Sequence, residues 1–236
     1  MKNLIQVLLL VVFVAIALTG CKKNSEVTLK NKIVYIYDSD NTDGVAFKNL
    51  FETNGCSVML VDRSNANSFD YSSYNLIVIG ANTSQHSSNS WTTTNTTAIK
   101  NSGKPLLLLG EGGFLFGDAI GTTVSWGNSA TNSQASFTVI DPSSALWHQP
   151  KQINVSGNSF TLYTAPTNDV ALYVASTPVA NVVLIGQEPN YNQYYPIVFE
   201  QNKYGAFGFY GNVNTMTSSG KDFFVNFVYF VGGLTL

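Results

Sequence analysis

Glu111 stands in Lys104-Pro105-Leu106-Leu107-Leu108-Leu109-Gly110-Glu111-Gly112-Gly113-Phe114, a carboxylate set among glycines at the end of an unbroken leucine run. Four leucines without polar interruption predict a strand buried on both faces. The glycines permit a sharp turn and Phe114 to Ile120 reads as helix, so the stretch has the form of a nucleophile elbow with Glu111 at its apex. Acyl-transfer elbows carry Ser or Cys at that place. A carboxylate there has two other uses. It can accept hydrogen bonds from the free N–H groups of the following helix. It can also work with a second acid in glycosidase-like hydrolysis.

Candidates for that second acid lie in Asp38-Ser39-Asp40-Asn41-Thr42-Asp43-Gly44, directly after the first apolar run. In open α/β sheets the carboxyl ends of the strands converge on one crevice. Asp38, Asp40, Asn82 (after the third apolar run) and Glu111 would therefore share it. Three readings stay open. The aspartates can cap the helix that begins near Gly44. With flanking aromatics they can hold a polyol or sugar by its hydroxyls. As hard oxygen ligands they can bind Ca²⁺, although Asp38-x-Asp40-x-x-Asp43-Gly44 misses the EF-hand spacing by one residue and lacks its distal Glu. Tyr191, Tyr194 and Tyr195, with Trp126 and Trp147, are candidates for an aromatic platform that takes glycan or peptide.

These residues must be positioned by alternating elements. Lys32–Tyr37, Val58–Val61, Leu76–Gly80 and Leu106–Leu109 read as strands. Helical patterns fall between them, with Val45, Phe47, Leu50 and Phe51 on one face and Thr97–Asn101 before Gly103. Alternation of this kind predicts βαβ units, and hence an α/β domain with a flavodoxin-like parallel sheet core and helices on both faces. Beyond Gly117 the chain turns β-rich. Ser136–Ile140, Gln152–Val155, Val170–Ser176 and Asn181–Gly186 read as strands that extend the same sheet antiparallel, and Pro196–Glu200 with Tyr204–Tyr210 form a last pair. Lys221–Val231 closes the domain as an amphipathic helix. No composition shift marks a second domain.

Of the 236 residues, 44% are hydrophobic and only 11% are charged, with a formal charge of −2. That is enough apolar material for one sizeable core, and it leaves no basic footprint for nucleic acid. Asn, Ser and Thr supply most of the polarity instead. No cofactor motif is present; Gly232-Gly233 lacks the preceding strand and following Lys of a phosphate loop.

Residues 1–20 stand apart. Lys2 precedes an apolar run from Leu4 to Leu18, shorter than a comfortable membrane span of about 20 residues. The run ends in Leu18-Thr19-Gly20-Cys21. This resembles the lipobox of bacterial lipoprotein precursors, which implies acylation of the Cys21 thiol and cleavage before it. It also implies a lipid-bilayer anchor in the cell envelope, and Lys22 favours the outer membrane. Residues 21–31 then read as lipidated Cys and polar tether, and 32–236 as one domain. Cys56 is left without a partner and reads as a small buried hydrophobe.

The order of elements over about residues 32 to 231 resembles the class I glutamine amidotransferase-like superfamily, in a lineage near the ThuA-like proteins. In those enzymes a cysteine stands between glycines after the buried strand, where this chain has Glu111. A later strand is followed by a histidine and, two positions on, an acidic residue. The matching stretch Gly208-Phe209-Tyr210-Gly211-Asn212-Val213-Asn214 puts Asn212 and Asn214 at those places. Asn has no titratable nitrogen and Glu is a poor acyl nucleophile, so the resemblance implies the fold without the Cys-His-Glu chemistry. The expectation is a non-catalytic accessory or ligand-binding envelope lipoprotein, with carbohydrate or an envelope protein as partner. The alternatives are a hydrolase using Glu111 with Asp38 or Asp40, and a structural or assembly component of an envelope complex.

Overall fold

The computed structural model describes residues 31–124 and 129–235. The signal segment, Cys21, most of the tether and Trp126 lie outside them. The chain runs β1 (Asn31–Tyr37), α1 (Thr42–Glu52), β2 (Cys56–Asp62), β3 (Leu76–Ile79), α2 (Thr93–Asn101), β4 (Leu106–Leu109) and α3 (Gly110–Ile120). It continues through β5 (Ser129–Gln134), β6 (Ser136–Val139), β7 (Ser159–Thr161), β8 (Thr167–Tyr173), β9 (Val182–Gln187), β10 (Tyr194–Tyr195), β11 (Ile197–Glu200) and β12 (Tyr204–Phe207), and ends in α4 (Ser218–Gly232).

Nine strands form one mixed sheet in the order β2-β1-β3-β4-β12-β11-β9-β6-β7. The first five are parallel in the 2-1-3-4-5 order of a flavodoxin-like core; the rest add on antiparallel. β12, late in the chain, pairs with β4 on one side and β11 on the other. Alternation along each parallel strand feeds two cores. Ile33, Tyr35, Leu107, Leu109 and Phe207 face α1 and α4, through Phe47, Phe51, Phe224 and Phe227. Val34, Ile36, Ile77, Leu106 and Leu108 face α2 and α3, through Ile99, Phe114 and Phe116. All four leucines of β4 are buried, as a strand covered on both faces requires. Phe47 stacks on Phe51 at 4.3 Å and meets Phe224 edge-on at 5.9 Å, which ties α1 to α4.

Some expectations fail locally. Val45 is 40% exposed, and Gly44 and Ala46 take the inward face of α1 instead. Gln152–Val155 is not a strand: the Lys151 N–H donates to Asn226 Oδ1 and the Ile153 N–H to the Trp147 carbonyl, so this segment is tied to α4 and to its own preceding turn. β5 and β10 join β8 in a separate three-stranded sheet, β10-β8-β5, rather than the main one.

Candidate functional site

The elbow forms, but its apex is one residue earlier than expected. Gly110 carries the left-handed backbone (φ +49°), and Glu111 lies in the first turn of α3. A Cβ on Gly110 would sit 2.7 Å from the Ala81 Cβ, so the turn needs glycine for space as well as for φ. The N-terminus of α3 has no side-chain cap, so Glu111 does not cap its own helix. Its carboxylate instead accepts from the His86 backbone N–H and, at 3.4 Å, from the Tyr210 hydroxyl. It clamps the loop after β3 to the segment after β12. Burial raises the Tyr210 phenol, and the Glu111 charge raises it further.

The acids after β1 do not converge on Glu111. Asp38 Oδ2 pairs with Arg63 Nη2 at 3.0 Å, and Arg63 also donates to the Ser90 carbonyl. Asp40 is exposed and accepts from the Thr42 N–H (2.9 Å) and hydroxyl (2.6 Å), two bonds that hold its carboxyl below the usual range. This is a local Asx-type turn one residue ahead of the N-cap Asn41, which makes no side-chain cap bond of its own. Asn82 donates to the Asp40 backbone carbonyl at 2.7 Å, not to its carboxylate. Asp43 accepts from Asn212 Nδ2 at 2.5 Å, while Asn212 Oδ1 accepts from the Asn214 N–H at 2.8 Å and so caps the short turn Val213–Thr215. Asn214 itself is exposed. The four crevice candidates, with Asn212 and Asn214, thus sort into separate local networks. Among the described residues no group of three or more His, Cys, Asp or Glu gathers as a cation site.

Tyr35, Phe47, Phe207, Phe209 and Phe224 leave a cavity of about 30 Å³ beside Asp43 and Asn212. That is water-sized, far below the roughly 300 Å³ at which small-molecule sites begin. The aromatic candidates divide. Trp147 is in the core against Phe223 at 4.8 Å and Tyr195 is buried, whereas Tyr194 meets Tyr173 at 5.3 Å and Tyr191 at 6.1 Å nearer the surface.

Sequence reasoning missed a pair of buried acids close to this region. Asp169, in β8, accepts from Gln134 Nε2 at 2.8 Å; Glu188, just past β9, accepts from Asn132 Nδ2 at 2.8 Å. Both are buried, and among the described residues Asp169 Oδ1 and Glu188 Oε1 have no hydrogen-bond partner. Burial, with the Glu188 charge adding to it, pushes the Asp169 carboxyl up to about 7; burial also raises Glu188. Near neutrality the pair holds a proton. Their sequence signal was a lone acid in or beside an apolar run, as in Asp169-Val170-Ala171-Leu172.

One stability test follows from the clamp. Glu111→Ala removes both bonds that fix the loop and should cost about 1–3 kcal/mol. Glu111→Gln keeps an acceptor for the His86 N–H and should cost about 1 kcal/mol or less. Thermal unfolding of the three proteins decides it, and an Ala variant as stable as wild type would remove the clamp as an explanation.

Known structures give the fold a context. A putative GMP synthase component from Thermoplasma acidophilum superposes with a TM-score of 0.59 at 12% identity, over 86% of this chain and 95% of its own. PurLQS from Thermotoga maritima superposes at 0.50 and 10% identity, over 85% of this chain and 99% of the other. A looser match, at 0.47 and 12% identity, is a glutamine amido transferase from Methylobacillus flagellatus, over 77% and 70% of the two chains. No protein-family profile and no curated protein sequence matches the chain. The fold is glutamine amidotransferase-like, with a parallel core and a β-rich C-terminal region.

Proposed function

We propose that this chain is a lipid-anchored protein of the bacterial envelope. Its amidotransferase-like domain performs no amide chemistry and serves as an accessory or assembly component. The observation that carries this reading is that the polar residues at the strand ends are engaged with loops and with one another, and the cavity beside Asp43 and Asn212 is about 30 Å³. Residue chemistry supports it. Glu111, Asn212 and Asn214 stand where the resemblance places nucleophile, base and acid. Glu111 and Asn212 are spent on contacts that hold loops together. A hydrolase built on Glu111 with Asp38 or Asp40 fits poorly, because Asp38 is engaged with Arg63 and Asp40 with Thr42.

A second reading, carbohydrate binding, draws on one surface feature. Tyr173, Tyr191 and Tyr194 form a partly exposed aromatic cluster beside the uncharged Asn190, Asn192 and Gln193. Rings with an apolar body and a polar tip, flanked by amides, suit a neutral saccharide.

The primary reading has a direct test. In a host that processes bacterial lipoproteins, the wild-type chain should take up labelled fatty acid, and Cys21→Ser should abolish both the label and cleavage before residue 21. The purified protein should release no ammonia from glutamine. Labelling that survives Cys21→Ser removes the anchor; glutamine turnover lost in Glu111→Ala removes the non-catalytic assignment.

A further inference from the structure

The parallel strands have two ends, and the tether enters at the end opposite the elbow. Asn31 opens β1, and its Nδ2 donates to the Thr235 carbonyl at 2.6 Å, so the start of the fold and its C-terminal residues lie together. Thr235 also lines a groove of about 580 Å³, shared with Leu146, Pro150, Tyr229, Phe230 and Leu234. This groove is far larger than the strand-end cavity, and it is mainly apolar.

The surface around it is apolar too. Phe230, in the last turn of α4, is 41% exposed and leans edge-on against Phe199 at 4.9 Å. Val183 is the cross-strand partner of Phe199 and is 52% exposed. Ile140, whose N–H donates to the Ile185 carbonyl on the same β9, is 42% exposed. Phe230 and Val183 therefore flank Phe199 at the same end of the sheet as the tether's entry, with Ile140 beside β9 two residues farther along. Lysines border this end. Lys32 is the second residue of β1, Lys203 directly precedes β12, and Lys151 follows the groove's Pro150. Lys104, ahead of β4, donates to the Ser72 carbonyl and offsets the nearby Asp70.

We propose that this end of the domain is a bilayer-docking face. Phe230, Val183 and Ile140 enter the interfacial region, the groove takes up apolar lipid, and Lys32, Lys151 and Lys203 meet headgroup phosphates. The inference rests on the lipid-anchor reading, which supplies the occupant. Nine residues, and hence ten Cα–Cα steps, separate Cys21 from Asn31, a leash of at most about 35 Å when fully extended. Such a leash holds this face close to the membrane, and an aromatic and aliphatic patch rimmed by cations is what an interface accepts. Exposed apolar clusters of this kind mark contact surfaces.

The test uses the acylated full-length protein. The Cys21 thiol is consumed by lipid and Cys56 is buried, so Phe230→Cys, Val183→Cys and Tyr191→Cys each add one reactive thiol at an exposed position. Each is labelled with an environment-sensitive fluorophore and reconstituted into phosphatidylethanolamine–phosphatidylglycerol vesicles, with and without brominated acyl chains. At 230 and 183 the emission should shift to the blue and lose most of its intensity to brominated lipid; at 191 it should do neither. Equal, unquenched emission at all three positions overturns the docking face. A blue shift at 230 without quenching assigns the face to protein, a partner or a second copy, and overturns it as well. A wild-type chain that takes up no acyl label defeats the anchor itself, a separate failure from an acylated chain whose reporters stay in water.

Discussion

Asp169→Asn is expected to stabilise the protein at pH 8 by about 2–4 kcal/mol and by clearly less, about 1–2 kcal/mol, at pH 5. Asp169 is fully buried, and its carboxyl is pushed from 3.8 up to about 7, first by burial and then by Glu188. The sign follows from proton binding. Between those two values the folded state holds a proton that the unfolded chain has released. Stability from this group is therefore full below about 4, declines as pH rises towards 7, and stays low above it. Asn carries no charge to desolvate, and its amide oxygen can still accept from Gln134. Urea unfolding at the two pH values measures the effect. An equal change at both would show that Asp169 is not the source of the pH dependence.

Gly208→Ala should be strongly destabilising, costing over about 4 kcal/mol, well beyond the usual single substitution and a large share of a domain's total stability. A Cβ there would lie 1.7 Å from the Val170 carbonyl oxygen and 2.9 Å from its carbon, both backbone atoms that no rotamer change can move aside. The Gly208 carbonyl also accepts from the Val170 N–H, and its own N–H donates to the Pro196 carbonyl, so this residue is where the three-stranded sheet is sewn to the main one. The expected result is loss of soluble folded protein, or an early protease cut between β5 and β10 in whatever survives. A variant with the wild-type melting temperature would mean that the close approach is avoidable.

The parallel half was readable because its signals are local. The leucine strand, the apolar face of the last helix and the glycine after α1 each announce themselves within a few residues. β5 did not, since Ser129-Ala130-Thr131-Asn132-Ser133-Gln134 has no apolar period; it is a strand because β8 lies beside it. The partners of Glu111 were hidden for a related reason. His86 and Tyr210 are 25 and 99 residues away, and nothing in Gly-Glu-Gly-Gly says which way the carboxylate will point. Likewise Asp38 and Asp40 in the loop and Asp43 in the first turn of α1 lie within six residues but turn to Arg63, Thr42 and Asn212, three directions that spacing alone does not encode.

The place of β12 between β4 and β11 bears on how the chain reaches this state. Synthesis delivers β1 to β4 with their helices first, yet β4 has an unpaired, wholly apolar edge until Tyr204–Phe207 arrives. A parallel pairing of such sequence separation forms slowly, because a long loop must close before any bond rewards it. Until then Leu106–Leu109 is a sticky edge, open to other chains. A chain cut short before residue 204 would keep that edge for good, so the penalty for truncation in this fold is aggregation rather than a smaller working domain.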